Sequence, residues 1–147
     1  MKVAVLMGSP NDQPKMAPAV ETLAQFGVGA EEHVLSAHRS PAAVAAFARG
    51  ARDAGFAAVI CGAGMAAHLA GAVAAQTTLP VIGVPLSGGA LNGVDALYAT
   101  VQMPRGIPVA TVGVDGALNA ALLAVEILAV RDPSLATKLA DYRDGWA

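Results

Sequence analysis

Charged residues are scarce in this chain, where they make up 14% of the 147 residues against roughly a quarter in a typical globular domain. The hydrophobic fraction, by contrast, reaches 55%. A chain with so few charged residues has too few of them for a surface that faces solvent everywhere. We therefore expect part of the surface to be buried between subunits.

Several further shortages exclude classes of partner. Nine Lys and Arg residues are balanced by eleven Asp and Glu, with no basic block and no aromatic ladder, so we expect no nucleic-acid partner. Gly and Pro interrupt every apolar run before the roughly 18 residues that a membrane helix needs, so we expect no membrane association. Aromatic residues, at 4%, are too few to sandwich a flavin.

Reactive groups are few as well. The single cysteine, Cys61, cannot form an internal disulfide, and residues 1–3 lead directly into a strand pattern without a signal peptide. These two features predict a cytoplasmic protein. The chain has no GxSxG nucleophile elbow and no His, Cys and carboxylate cluster at metal-binding spacing, so we expect no metal site.

The chain does contain a regular alternation of short β-branched runs with Ala-rich helical stretches. This alternation is typical of βαβ units and a parallel sheet covered on both faces. We predict an α/β fold in a single domain over residues 1–147: a three-layer αβα sandwich with a flavodoxin-like parallel sheet of about five strands and a C-terminal helix. The predicted strands lie near 2–8, 29–35, 57–61, 80–84 and 108–114, and the predicted helices near 13–26, 41–54, 65–76, 93–102, 117–130 and 134–144.

Polar or glycine-rich segments follow the first four predicted strands. In an open parallel sheet the ligand crevice lies beyond the carboxyl ends of the strands, where the direction of the connections reverses. We expect these segments to meet there. They are Gly8–Asp12, Ser36–Arg39, Gly62–Gly64 and Ser87–Gly89.

The second segment carries the strongest chemical signal, because His38 and Arg39 stand side by side where a strand gives way to a helix. Ser40 suits the N-cap and Pro41 the first helical turn, and a helix N-terminus attracts phosphate or carboxylate groups. An imidazole titrates near neutral pH. His38 is therefore a candidate general acid and base, with a purely structural histidine as the alternative.

Two other strand ends add weaker candidates. Ser9, Asn11 and Asp12 offer a hydroxyl, an amide and a carboxylate that can bind phosphate or sugar hydroxyls, and the alternative is a capped turn with Asp12 as N-cap. Gly62–Gly64 predicts a glycine turn into a helix, where backbone can approach a ligand closely. His68 is expected one turn into that helix, as a ligand-binding or a packed residue.

Together these motifs resemble those of the class I N5-carboxyaminoimidazole ribonucleotide mutases of the PurE family, over almost the whole chain. Several motifs in one order are far more specific than any one of them. The matching segments are Met7-Gly8-Ser9 with Asp12, Ser36-Ala37-His38-Arg39-Ser40-Pro41, Gly62-Ala63-Gly64 with Ala66-Ala67-His68-Leu69, Gly83-Val84-Pro85, Leu91-Asn92-Gly93-Val94-Asp95, Gln102 to Val109 and Asn119 to Ala124.

The resemblance implies a cofactor-free transfer of a carboxyl group from the exocyclic N5 to ring carbon C4 of an aminoimidazole ribonucleotide. It implies that His38 moves the protons, that Arg39 suits the phosphate and Asp12 the ribose hydroxyls, and that the protein is a homo-octamer with active sites at subunit interfaces. The positions expected to bind this small-molecule substrate are Ser9, Asn11, Asp12, Ser36, Arg39, Gly64 and His68.

Three positions depart from the usual pattern of that family: Asn11 stands in place of a serine, Met65 in place of a glycine and Ala70 in place of a proline. Met65 is the largest change, because a bulky side chain then lies beside the expected carboxylate pocket. Two alternatives to the mutase follow. One is a carboxylase that uses free carbon dioxide with the unsubstituted amine, and the other is a ribonucleotide-binding paralogue without turnover.

Overall fold

The computed structural model describes residues 1–145. Over that range β-strands and α-helices alternate, and a short 3-10 turn at Pro10–Asp12 precedes the first helix. The strands are β1 Lys2–Met7, β2 Gly29–Val34, β3 Phe56–Gly64, β4 Val81–Leu86 and β5 Ala110–Thr111. The helices are α1 Gln13–Gln25, α2 Pro41–Gly50, α3 Leu69–Ala74, α4 Val94–Val101, α5 Ala117–Ala129 and α6 Pro133–Asp144.

The strands form one parallel sheet in the order β2-β1-β3-β4-β5. This is the strand order of a flavodoxin-like fold and confirms the predicted fold class. The chain runs outward from β1 to β2 and then crosses back to β3 on the other side of β1. The direction of the connections therefore reverses between β1 and β3, which is where a ligand crevice is expected.

Alternating side chains of β1 supply both faces of the core. Val5 and Met7 of β1 belong to one apolar cluster, which also includes buried residues of α1, α5 and α6. Ala4 and Leu6 belong to the opposite cluster, with α2 and α3. Because successive side chains of a strand point to opposite faces, a sheet covered on both sides needs this continuous apolar run.

Helix α4 approaches the sheet very closely at Gly83. A Cβ atom added to Gly83 would overlap the side-chain methyl of Thr100 and lie 3.0 Å from Cγ1 of Val109. Thr100 is itself buried and its hydroxyl donates to the Ala96 carbonyl at 2.7 Å. The absence of a side chain at Gly83 therefore allows α4 to lie directly on β4.

Two sequence-based boundaries are wrong around the third strand. Gly62–Gly64 is not a turn but the end of β3, because these residues pair with Val84–Leu86 of β4. The following helix begins at Leu69 rather than near residue 65, since Met65 takes a φ of +53° that a right-handed helix does not permit.

One other element also differs from expectation. Strand β5 is limited to Ala110–Thr111, which pair with Ile82 and Gly83 at the sheet edge. Helix α1 spans Gln13–Gln25 close to its predicted bounds and contains Pro18 in its interior. None of the helices within residues 1–145 combines the length and apolarity that crossing a membrane requires.

Candidate active site

A cavity of about 560 Å³ opens at the carboxyl end of the sheet, beside the reversal point between β1 and β3. The loops after β1, β2, β3 and β4 all contribute to its walls. The structure brings all of the sequence-predicted site residues to this one cavity: Ser9, Asn11, Asp12, Ser36, His38, Arg39, Gly64 and His68.

The loop after β1 forms the first wall. The Gly8 N–H donates to the Gly62 carbonyl at 3.2 Å, which ties the ends of β1 and β3 together. Ser9 caps the short 3-10 turn, because its hydroxyl accepts from the Asn11 N–H at 3.2 Å. Asp12 occupies the N-cap position of α1 but makes no side-chain capping bond. The alternative interpretation of this loop is therefore right about the N-cap position of Asp12, but the carboxylate does not cap the helix.

The environment of Asp12 disfavours its negative charge. Burial raises the pKa of the Asp12 carboxyl above its ordinary value of 3.8, although a hydrogen bond from the Ser9 backbone and the charges of Lys15 and Arg39 oppose that rise. A desolvated carboxylate without a capping duty gains most from a ligand that donates hydrogen bonds, and sugar hydroxyls are such donors.

The loop after β2 is a tight turn that holds Arg39. The Ser40 N–H and hydroxyl both donate to the Ser36 carbonyl, at 2.9 and 3.0 Å. Ser40 occupies the predicted N-cap position of α2, but its hydroxyl makes no capping bond to the helix. The Ser36 hydroxyl accepts from the Arg39 N–H at 3.2 Å and from Nε at 3.3 Å. Nη2 of Arg39 donates to the Gly8 carbonyl at 2.8 Å, across the sheet.

The two histidines of the cavity lie on different walls. His38 is exposed within the Ser36–Ser40 turn. His68 immediately precedes α3 rather than lying one turn inside it, and its ring packs over Gly71, where an added Cβ would be 3.1 Å from Cε1 of the imidazole. The third histidine, His33, lies on β2 against Phe47, with ring centroids 4.8 Å apart, as expected for a residue on a strand face.

A charged network that no sequence motif predicts holds Ser87 on the fourth wall. Lys15 Nζ donates to the Ser87 carbonyl and hydroxyl at 2.5 and 2.6 Å. The Ser87 N–H donates to Asp115 Oδ1 at 2.9 Å, and its hydroxyl donates to Oδ2 at 2.5 Å. Lys15 and Ser87 are 72 positions apart and Ser87 and Asp115 are 28 apart, so no local motif marks the network.

The surroundings of Asp115 favour its negatively charged form. Burial opposes ionisation, but the two hydrogen bonds from Ser87 and the charge of Lys15 outweigh it and hold the pKa of Asp115 below its ordinary value of 3.8. The pKa of Asp12, which lines the cavity, and the pKa of Asp115, which holds the cavity residue Ser87, are thus shifted in opposite directions. Asp115 is a stable structural carboxylate, whereas the desolvation cost of Asp12 is only partly offset by its neighbours.

Met65 stands at the edge of the cavity, between β3 and the loop after β4. It is 60% exposed and has a left-handed backbone, a conformation that costs a residue with a side chain about 1–2 kcal/mol. Its side chain lies against the backbone of Gly89, where an added Cβ would be 3.3 Å from Met65 Cγ. Met65 thus bridges the third and fourth walls.

Other candidate chemistry is poorly supported. Cys61 is buried in β3, and burial raises its thiol pKa well above the ordinary value, which leaves it a small apolar core residue. Within residues 1–145, no group of three His, Cys, Asp or Glu side chains could hold a metal ion.

A larger cavity of about 790 Å³ lies near the C-terminal ends of α2 and α3, and none of the predicted site residues lines it. Its two arginines, Arg49 and Arg52, donate to the side chains of Gln76 and Thr78 at 2.9 and 3.0 Å. Cations at helix C-termini complement the helix dipoles, so these arginines have a structural explanation. We therefore assign the functional site to the smaller cavity.

The fold and the cavity define a flavodoxin-like α/β protein with a polar pocket at its topological switch point. Residues 2–147 match the family described as AIR carboxylase, and the chain belongs to this family. It is 53% identical over 143 residues to an N5-carboxyaminoimidazole ribonucleotide mutase of Pyrococcus abyssi, covering 97% of this chain and 82% of that protein. It is 52% identical, with the same coverage, to the mutase of that name from Mycobacterium tuberculosis (strain CDC 1551 / Oshkosh).

Two further similarities concern a longer protein and a solved structure. A phosphoribosylaminoimidazole carboxylase of Saccharomyces cerevisiae is 51% identical over 140 residues, which are 95% of this chain and 24% of that protein. The crystal structure of Treponema denticola PurE superposes with a TM-score of 0.89 at 28% identity, covering 97% of this chain and 89% of that one. The resemblance to the PurE family is thereby confirmed.

Proposed function

We propose that this protein is an N5-carboxyaminoimidazole ribonucleotide mutase, which converts N5-carboxyaminoimidazole ribonucleotide into 4-carboxyaminoimidazole ribonucleotide in de novo purine (IMP) biosynthesis. One observation carries the proposal: a single cavity gathers every residue that the resemblance implies for catalysis or substrate binding. Curated relatives that are 53% and 52% identical bear this name and support the assignment.

Arg39 and Asp12 are the proposed anchors of the ribonucleotide. The guanidinium of Arg39 is held by Ser36 and Gly8 through Nε and Nη2, which leaves further N–H donors for a phosphate. The Asp12 carboxylate accepts from the ribose hydroxyls, and that contact offsets its desolvation. Ser9 and Asn11, on the same loop, add a hydroxyl and an amide beside the phosphate.

His38 is the proposed general acid and base. The C–N bond of the carbamate breaks, carbon dioxide leaves, and the exocyclic nitrogen receives a proton from His38. C4 of the ring then attacks the same carbon dioxide, and the neutral imidazole takes the proton that C4 loses, so the histidine returns to its starting state. A pocket that excludes water keeps the carbon dioxide beside the ring between the two steps.

The remaining predicted residues line the part of the cavity where we propose that the carboxyl group moves. Gly64 at the end of β3 allows close backbone approach, and His68 lies beside it on the loop before α3. Ser36 acts indirectly, because its hydroxyl and carbonyl hold the turn that carries His38. We propose that the reaction needs no cofactor and no metal.

A homo-octamer with sites at subunit interfaces is also part of the proposal. Val94, Tyr98 and Val101 form an exposed apolar stripe on α4, with Leu91 just before the helix. Such a stripe and the low charge content both favour burial against another copy of the chain. Light scattering should give the octamer mass for the wild type and a smaller species for Tyr98→Asp. We further propose that the protein works in the cytoplasm as one domain over residues 1–147.

The two alternatives, a carboxylase using free carbon dioxide and a ribonucleotide-binding paralogue, remain distinguishable by assay. Purified protein is incubated, without ATP or metal, with N5-carboxyaminoimidazole ribonucleotide or with the unsubstituted amine plus bicarbonate. Formation of the C4-carboxylated product from the first substrate, above its spontaneous decay, supports the mutase. Efficient product formation from the second substrate alone supports the carboxylase, and binding without turnover of either supports the paralogue.

A further inference from the structure

The proposed mechanism does not use the charged network of Lys15 and Asp115, which reaches the cavity through Ser87. Its hydrogen bonds join three distant elements: the first turn of α1, the loop after β4 and the loop before α5. The Asp115 N–H also donates to the Pro85 carbonyl at 2.9 Å, so the aspartate is fastened to the end of β4 by its backbone as well.

The Ser87 hydroxyl is occupied by this network. It accepts from Lys15 and donates to Asp115, so its proton and one lone pair are already engaged. Ser87 is therefore a poor direct ligand for a substrate, although it lines the cavity. What the network fixes is the start of the Ser87–Gly89 loop, whose two glycines would otherwise be free to move.

We infer that Lys15 and Asp115 are positioning residues that pin the Ser87–Gly89 loop against Met65, so that the cavity stays closed while carbon dioxide is detached from the ribonucleotide. The inference rests on the proposed mutase function. Met65 connects the pinned loop to the end of β3, because its side chain contacts Gly89 and its backbone follows Gly64. Releasing the loop opens this contact and gives carbon dioxide a path to solvent.

If Lys15 and Asp115 only stabilised the fold, replacing either residue would change the stability of the protein and not the fate of carbon dioxide. Lys15 and Asp115 approach to 3.8 Å with side chains 37% and 40% exposed, and an ion pair of that kind contributes at most about 1 kcal/mol. Its loss should lower the melting temperature by no more than about 3 °C. An effect on the fate of carbon dioxide, on the other hand, depends on loop position and not on global stability.

The test compares Lys15→Met and Asp115→Asn with the wild type. Asn retains a tolerance for the left-handed backbone of residue 115, where φ is +56°. For each protein, the share of consumed N5-carboxyaminoimidazole ribonucleotide that appears as free aminoimidazole ribonucleotide is measured, after subtraction of spontaneous decay. We expect that share to rise roughly tenfold in both variants, with KM little changed. Lys15→Arg, which can still donate to Ser87, should restore much of the coupling.

Two controls separate positioning from general damage. Lys2→Met removes a lysine that pairs with Glu31 at 2.7 Å at the opposite end of the sheet, and it should leave the product share unchanged. The double variant Lys15→Met/Asp115→Asn should behave like either single variant, because both residues act through Ser87.

A readout independent of turnover keeps the test decisive. Hydrogen exchange of a peptide covering residues 86–93 should be roughly tenfold faster in both variants than in the wild type. Unchanged exchange, or faster exchange with an unchanged product share, overturns the inference. If the wild type forms no C4-carboxylated product, the proposed function fails, and with it the closure role, whatever the exchange shows.

Discussion

Nη2 of Arg39 donates to the main-chain carbonyl of Gly8 at 2.8 Å, so a residue after the second strand is bonded to a residue after the first. This bond crosses the carboxyl edge of the sheet and brings the His38 turn to the loop that carries Asp12. The same guanidinium donates from Nε to Ser36. Arg39 therefore organises the cavity before any phosphate reaches it.

Replacing Arg39 by lysine should weaken substrate binding. An ammonium group cannot bond Ser36, Gly8 and a phosphate in the fixed planar geometry of a guanidinium. A lost charge-assisted hydrogen bond costs about 2 kcal/mol, which predicts a rise of roughly 30-fold in the Kd of a nonreactive ribonucleotide analogue. Titration calorimetry measures this. An unchanged Kd would argue against Arg39 as the phosphate ligand.

Replacing His38 by asparagine should abolish turnover while leaving binding intact. Asparagine can fill the same space and form hydrogen bonds, but it cannot carry a proton between nitrogen and C4. We expect kcat to fall by roughly 10²–10⁴-fold with less than about a threefold change in Kd. Single-turnover kinetics and equilibrium binding separate the two quantities. Retention of full turnover would rule out His38 as the general acid and base.

Replacing Asp12 by asparagine should stabilise the protein and weaken its binding of substrate. The folded-state pKa of Asp12 is raised, so its protonated form adds stability below about pH 3.8 and that contribution is lost as pH rises through the folded pKa. The neutral amide avoids the loss. We expect a gain below about 1 kcal/mol at pH 7 and none at pH 3, measured by denaturant unfolding. A destabilised variant at pH 7 would contradict the desolvation argument.

Replacing Gly83 by alanine should destabilise the fold. The new Cβ would overlap the methyl of Thr100, and that β-branched side chain has little freedom to move. Overpacking of this kind costs about 1–3 kcal/mol, which lowers Tm by roughly 3–10 °C. Gly50→Ala is the matched control, because nothing lies within 4 Å of its added Cβ, and it should raise stability slightly. Calorimetry measures Tm for both variants. An equal loss of stability in the two would disprove the close-packing argument at Gly83.

The layers and the flavodoxin-like class were predictable because local patterns encode them. The apolar runs of β1, β3 and β4 and the Ala-rich helices are continuous in sequence, and right-handed parallel connections leave few arrangements. The boundaries near Gly64 were not predictable in the same way. There, pairing with β4 extends the third strand, and the left-handed backbone of Met65 delays the next helix; both depend on contacts formed only in the folded chain.

In the candidate site too, residues in local motifs were predictable, whereas residues that depend on tertiary contacts were not. Two polar segments follow neighbouring strands, so the topology alone brings them together. They are Gly8–Asp12 after β1 and Ser36–Arg39 after β2. No sequence pattern indicates Lys15 and Asp115. Each is connected to the cavity only through its hydrogen bond with Ser87, which is distant from both in sequence. The sequence also does not show that the Asp12 carboxylate leaves α1 uncapped. Only the structure shows that the Ser9 hydroxyl caps the preceding 3-10 turn instead.

The origin of the transferred carboxyl group tests the central claim most directly. The protein is incubated with unlabelled N5-carboxyaminoimidazole ribonucleotide in buffer containing carbon-13 bicarbonate, and the C4-carboxylated product is analysed by mass spectrometry. A mutase that keeps its carbon dioxide in the closed cavity gives product without label. Product carrying the isotopic enrichment of the buffer would contradict the account and assign the protein to carboxylation by free carbon dioxide.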